Sequence, residues 1–394
     1  MTVVVVFEDL LVAVSDVLIT SDQPGNHIIL PSTGNTKYLK PSLSLSPTRM
    51  VRKYITFTAQ AGEGTLLVAG NVSHIQQFAK NLTDIAQGKR DLPSQLSELR
   101  NGSPGEIADA AAKITESEGF SEFEVIGTTG NQAYARTFDV SQILIDLPYF
   151  GKVRAIGSGA NDVVNWLRVR GDHWVASGLH EGDIERRRMH VLQLLPAILL
   201  EEDTLITLRT ISKGVGGYYE SYLMGEGKLI PIDSVLTLFA NVVGKSRDYE
   251  IEISRFFFHL YVKDCLVVIS MFDLPKTIRR GLPLKCRLDS IELFQIYPMF
   301  GNAKKPNWTV NLVAKKAAAA KHIRLSMSRI FPDGSRVVKR FFQDGSDSNR
   351  RLIDLKVSNG NLVVTLNEKG FDHFASKIPN SGNNSSILNV GDGI

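Results

Sequence analysis

The chain opens on an apolar run, Val3-Val4-Val5-Val6-Phe7. β-Branched residues without alternation predict a strand buried on both faces. Glu8-Asp9 turns the chain, and Leu10 to Leu18 predicts a second apolar strand, interrupted by Ser15-Asp16. A carboxylate in a buried strand is costly unless paired, so Asp16 calls for a cation or several hydrogen-bond donors. Tyr54 to Ala59 and Thr65 to Ala69 predict two more strands around Gly62-Glu63-Gly64. The period then changes: Ile75, Phe78, Ala79, Leu82 and Ile85 recur three and four residues apart, predicting a helix over Val72 to Gly88 with Ser73 as its N-cap. Pro104 to Ser117 predicts a second helix, with Pro104 in its first turn and Gly119 just past its end.

Glu122 to Gly127 and Ala133 to Phe138 predict a hairpin around Gly130-Asn131. Val153 to Ile156 predicts a short strand leading through Gly157-Ser158-Gly159 into a helix, Ala160 to Arg168. Glu185 to Glu201 predicts another helix, and Thr204 to Arg209 and Tyr218 to Met224 predict strands around Ser212-Lys213-Gly214-Val215-Gly216-Gly217. Grouped strands and helices with hairpin links predict an α+β layered sandwich, two antiparallel sheets between two pairs of helices. From about residue 246 the texture is different. Tyr249, Ile251 and Ile253 alternate with polar residues, and hairpin signals stand at Pro332-Asp333-Gly334 and Ser358-Asn359-Gly360. These predict an antiparallel all-β domain, a sandwich or barrel. The division expected is residues 1–239, residues 240–375, and a Ser/Asn/Gly-rich disordered tail, 376–394. The Ala317 to Ala320 run is given no role.

Composition fits this picture: 394 residues, 43% hydrophobic and 22% charged, are enough for two globular domains. Two cysteines and no visible signal peptide argue against a disulfide framework and for a cytoplasmic protein. No apolar stretch approaches the ~20 residues of a membrane span. Charge is uneven: residues 240–394 hold 24 Lys/Arg against 14 Asp/Glu, which is +10 of a net +4 and leaves −6 for the first 239. That hints at an acidic partner for the second half, with ordinary solvated basic faces as the plainer reading. A nucleic-acid partner is the weaker alternative, because Lys276, Arg279, Arg280, Lys285 and Arg287 lack an aromatic stacking platform. The eight histidines show no metal-ligand spacing, and no phosphate-cradling loop or nucleophile elbow is present, so no cofactor is called for.

The candidate chemistry stands at the start. Thr2 is small enough for removal of Met1, and an N-terminal threonine carries a hydroxyl and an amine of pKa ~7.7–8.0 on one residue. Thr2-Val3-Val4-Val5, the strand Leu11-Val12-Ala13-Val14-Ser15-Asp16, Thr65-Leu66-Leu67-Val68-Ala69-Gly70 before a helix, Gly157-Ser158-Gly159 before another, and Gly216-Gly217 occur in that order. In that order they resemble the proteasome-type N-terminal-nucleophile hydrolases, catalytic β-type subunits in particular, over about residues 2–230. The non-catalytic ring subunits carry a helical extension before the first strand, and none is seen here.

The resemblance implies a four-layer αββα sandwich and a threonine-type amide hydrolase, a peptidase acting on peptide or other amide substrates, assembled as a homo-oligomer of ring type. It implies Thr2 as nucleophile, a lysine beside it (Lys37, with Lys53 as rival), Asp16 as the buried anion pairing that lysine, Gly70 as an oxyanion donor, Ser158 near the amine, and Val68 and Val72 lining an apolar specificity pocket. Each has a plainer reading: a strand-end aspartate, a surface lysine, a glycine at a corner, an N-capping serine. Two departures stand out. The family's Asp-Ser/Thr-Arg is replaced by Asp16-Val17-Leu18, and its Asp-x-x-Ser-Gly-Gly loop lacks both aspartate and serine. The alternative is therefore a catalytically inactive scaffold that binds a partner through its basic C-terminal domain.

Overall fold

The computed structural model describes residues 3–21, 28–33, 46–59, 62–89, 102–129, 132–137, 143–176, 183–205, 211, 215–225, 228–244, 250–271, 276–278, 283–300, 307–331, 336–344, 352–367, 369–370, 372–373 and 391–393. Along the chain, β1 (Val4–Phe7), β2 (Val12–Asp16), the pair β3 (Leu18–Ser21) and β4 (Ser46–Met50), β5 (Tyr54–Ala59) and β6 (Gly62–Gly70) lead to α1 (Val72–Ala86) and α2 (Pro104–Ser117). Then come β7 (Phe123–Thr129), β8 (Gln132–Thr137), β9 (Ile143–Leu147), β10 (Gly151–Ile156) and α3 (Ala160–Ala176). A helical run follows: α4 (Ile184–Met189), a π-helical turn (His190–Leu194) and α5 (Leu195–Leu205). After it stand β11 (Tyr219–Gly225), β12 (Lys228–Pro231), β13 (Val235–Val243), β14 (Glu250–Val262), β15 (Cys265–Met271), β16 (Lys276–Ile278), β17 (Leu284–Arg287) and β18 (Glu292–Ile296). The last elements are α6 (Val310–Ala317), β19 (His322–Ile330), β20 (Arg336–Asp344), β21 (Ile353–Ser358), β22 (Asn361–Leu366) and β23 (Gly391–Gly393).

The chain is a mixed α+β protein. One antiparallel sheet has the order β12-β11-β2-β1-β10-β9, and a second the order β5-β6-β7-β8. They face each other through Val4, Val6, Ala13, Leu67, Ala69, Ile126, Ile156 and Tyr222. The opposite face of β1, carrying Val3, Val5 and Phe7, packs on α3 and α5. β1 is apolar throughout because each of its faces meets a core. α1 and α2 cover the outer face of the four-stranded sheet, burying Ile75, Phe78, Leu82, Ile107 and Ala111. The first two helices fell where expected with one change: Asn71, not Ser73, caps α1, and its side chain accepts from Ser73 N–H. Ser103 and Glu106 close a capping box on α2.

The helix expected over Glu185 to Glu201 is broken by the π-helical turn. Pro196 has no N–H for the carbonyl of Leu192, four residues before it, and the helix widens there. Thr204 and Leu205 end α5 rather than starting a strand. α5 is apolar nearly all round because it lies between two sheets, with Phe239, Phe257, Val268 and Phe294 of the later sheet in the same core.

That later sheet has the order β18-β15-β14-β13-β19-β20-β23, with β16 beside β14. It differs from the antiparallel all-β expectation in two ways. β13 and β19 run parallel, as do β20 and β23. A helix, α6, also packs on the outer face, and the alanine run supplies its close-fitting end: Val313, Ala314, Ala317 and Ala320 are all buried. A parallel neighbour needs a long crossover, and α6 lies in the one before β19. The three-stranded sheet β17-β22-β21 shares that core. The boundary expected at residue 239 falls inside β13, so the change of sheet comes before Val235. Gly391–Gly393 of the expected disordered tail pairs with β20. No helix among the described residues is long and apolar enough to cross a membrane.

Candidate functional site

Asp16 ends β2 fully buried. One carboxylate oxygen accepts from Val3 N–H at 2.9 Å and from the Lys53 ammonium, and the other accepts from Gly216 N–H at 3.1 Å. Three donors offset the cost of burying this charge. Lys53 is likewise inaccessible. Burial lowers its pKa, and the adjacent Asp16 opposes that by favouring the charged form. The lysine on Asp16 is thus the rival candidate of the sequence reading. Lys37 and Thr2 lie outside the described residues, but Val3, the residue after Thr2, is bonded to Asp16.

A second carboxylate stands beside the first. Asp203, near the end of α5, accepts from Gly217 N–H at 3.1 Å and from the Tyr219 hydroxyl at 2.9 Å. A Cβ at Gly216 would sit 2.6 Å from the Asp203 carboxylate, and φ there is +122°, so glycine is required on both counts. The carboxylate beside this loop comes from a helix. Nothing in Glu201-Glu202-Asp203 distinguishes a buried acid from a solvated run, which is why the sequence hides it.

Gly70 is exposed at the end of β6 with φ +121°, and a Cβ there would meet Glu122 O at 2.5 Å and Phe123 Cα at 2.7 Å. Its corner role alone demands glycine. Ser158 is exposed at the turn after β10, between buried Gly157 and Gly159. Gly157 N–H donates to the buried Glu124 carboxylate at 2.5 Å. Val68 is sealed in the core under α1 and α2 and lines no open pocket, because strand alternation turns Leu67 and Ala69 to the other sheet and Val68 to the helices. Val72, the first residue of α1, is partly exposed.

An open cleft of about 390 Å³ lies beside α1 instead. β5 gives Tyr54 to Thr56 to one wall, α1 gives Gln76 and Lys80, and the β14–β15 turn and the segment after β18 close it with Asp264, Pro298 and Phe300. Tyr54 directly follows Lys53, so one stretch of chain serves the buried ion pair and the cleft. Among the described residues no group of three or more His, Cys, Asp and Glu is placed to hold a metal ion. No protein-family model matches the chain, and no curated protein or solved structure matches it either.

Proposed function

We propose that the chain is a threonine-type N-terminal-nucleophile amide hydrolase, a peptidase in the first instance, with Thr2 as nucleophile. The observation that carries this reading is the buried Asp16, bonded at once to Val3 N–H, to Lys53 and to Gly216 N–H. A buried lysine–aspartate pair directly beneath the first strand has a chemical use if the residue before Val3 reacts. The layers described above, helices outside two facing sheets, are those the reading requires.

In this mechanism the Thr2 hydroxyl oxygen attacks the substrate carbonyl carbon, and its proton passes to the threonine amine. The Lys53 ammonium, held by Asp16, favours the developing alkoxide. The N–H at Gly70 stands as donor to the oxyanion, a contribution typically of about 2.7–4 kcal/mol. The amine returns its proton to the leaving nitrogen, the C–N bond breaks, and water hydrolyses the ester. Asp203 offsets the altered loop by fixing Gly217 and Tyr219. The cleft closed by Phe300 takes a substrate side chain, and assembly as a homo-oligomer belongs to the same proposal.

The test is intact mass after incubation with a peptidyl epoxyketone, in which the threonine hydroxyl adds to the ketone and the amine opens the epoxide. Loss of Met1 and one adduct, absent in Thr2→Ala, is the expected result. Retained Met1, or a processed chain that never reacts with large or small probes, overturns it in favour of a non-catalytic scaffold.

A further inference from the structure

Arg52 precedes Lys53, and it too is buried, 1% exposed. Its Nε donates to Glu220 Oε1 at 2.7 Å, and its Nη1 donates to the backbone carbonyl of Asp264 at 2.6 Å. The guanidinium lies 4.9 Å from the centre of the Tyr54 ring and 4.5 Å from that of Tyr261. Its backbone is held as well: Arg52 N–H donates to Tyr297 O at 2.8 Å, and Arg52 O accepts from Met299 N–H at 3.1 Å. The Tyr261 hydroxyl closes the ring of contacts on Glu220 Oε1 at 3.0 Å. Burial opposes the charge, but Glu220 with Tyr222 and Tyr261 raises the Arg52 pKa above its ordinary value.

Most of this cage comes from residues beyond 260: the end of β14 gives Tyr261, the turn after it gives Asp264, and the segment after β18 gives Tyr297 and Met299. The first domain contributes Glu220 and Tyr54. A planar fork bonded through both Nε and Nη1, with two aromatic rings close to its carbon, is held in one orientation. The next residue in the chain is Lys53. We propose that Arg52 is a positioning residue that fixes Lys53 against Asp16, and that the later domain is part of the site because it supplies most of the cage. This rests on the hydrolase reading for its consequence in catalysis, but not for its consequence at Lys53.

The test has two arms, run on the full chain. In the first, acetylation by an N-hydroxysuccinimide ester is followed lysine by lysine by peptide mass. In the parent, Lys53 reacts far more slowly than the exposed Lys80 and Lys113. Arg52→Met is expected to raise Lys53 reactivity at least tenfold with Lys80 and Lys113 unchanged, and Arg52→Lys, which keeps charge without the fork, to fall between. In the second arm, epoxyketone labelling of Thr2 is expected to lose at least tenfold in the maximal inactivation rate, with the probe's half-saturation within threefold of the parent. The pH profile of labelling is expected to move with it.

Tyr261→Phe keeps the ring over Arg52 and removes only the bond to Glu220. It should shift both arms in the same direction by a smaller factor, and it decides the question if Arg52→Met does not fold. Variants that are less stable yet keep Lys53 protected and labelling unchanged overturn the proposal. A parent that never labels overturns the hydrolase reading alone, and the acetylation arm still decides the clamp.

Discussion

Gly217 donates its N–H to the carboxylate of Asp203 at 3.1 Å, joining the loop before β11 to the end of α5. The next residue back, Gly216, donates to Asp16. Two adjacent glycine N–H groups therefore hold two buried carboxylates, one from a strand and one from a helix. Both glycines have positive φ, +122° and +79°, which lets successive N–H groups turn toward separate acceptors. The loop acts as a brace between Asp16 and the helical layer.

Replacing Asp203 with alanine should therefore be costly. It strands the Gly217 N–H in a buried place, at about 1–3 kcal/mol, and takes one bond from the Tyr219 hydroxyl. Urea unfolding should show the midpoint falling with an unchanged slope. Epoxyketone labelling should fall with it, because Gly216 loses its support. Gly216→Ala should be worse: its Cβ meets Asp203 and its φ is strained. An alanine variant as stable as the parent would show that the loop does not hold this conformation.

Asp16 and Lys53 should behave as a pair. Removing either alone leaves a buried charge without its partner, at about 3–5 kcal/mol. The double variant Asp16→Asn/Lys53→Met leaves no unpaired charge, so its loss should be clearly less than the sum of the singles. All three should lose labelling of Thr2. Stability by denaturant and labelling by mass thus separate the two roles: the double change recovers fold without chemistry. Additive losses in stability would deny the contact.

How far the sequence carried this site depended on the residue. Asp16 was legible because a carboxylate inside an apolar strand has to be explained. Its partner was not, since Lys37 and Lys53 both stand in polar company in the sequence, and it is tertiary packing that buries Lys53. Glu201 closed the expected helix and Asp203 lay beyond it, before the strand expected at Thr204; both are buried because a second sheet covers α5. Glu201 there takes Arg336, Arg340 and the Ser326 hydroxyl. The hairpins and the first two helices followed from period and caps. The parallel pair β13–β19 did not, because pairing between distant strands leaves no local signal. Nor did the expected helix over Glu185 to Glu201 show its break before Pro196, or that Arg324 would donate to the Leu192 carbonyl at 3.2 Å.

Acid sensitivity should trace in part to His259. Its Nε2–H donates to Ile232 O at 2.8 Å, which leaves Nδ1 to accept from the Tyr218 hydroxyl at 2.8 Å. Burial lowers its pKa to about 3, the Ile232 bond opposes this, and Arg324, His322 and Arg52 add to the lowering. The unfolded value is ~6.5. Between the two the unfolded chain binds a proton that the folded chain refuses, so stability is full above pH ~6.5 and falls as pH drops toward 3. The slope from this one group approaches about 1.4 kcal/mol per pH unit. Unfolding free energies measured between pH 7 and 5 should show it, above the range where most carboxylates titrate. His259→Gln should lower stability at pH 7 and flatten the slope. An unchanged slope would mean that His259 charges in place.

The cleft makes the last prediction. Thr56 is exposed on β5 within its wall, so Thr56→Trp can fill the space without disturbing a core. A substrate side chain seated there would be displaced by the indole. The half-saturation for peptidyl epoxyketones with a bulky side chain should rise at least tenfold, while the maximal inactivation rate and the reaction with a small probe stay near the parent's. Phe300→Ala, which opens the cleft from the later domain's side, should shift preference the other way, toward larger side chains. If both variants treat large and small probes as the parent does, the substrate lies elsewhere. The cleft would then be only a seam between β5, α1 and the later domain, and Arg52 would remain the feature by which that domain reaches Lys53.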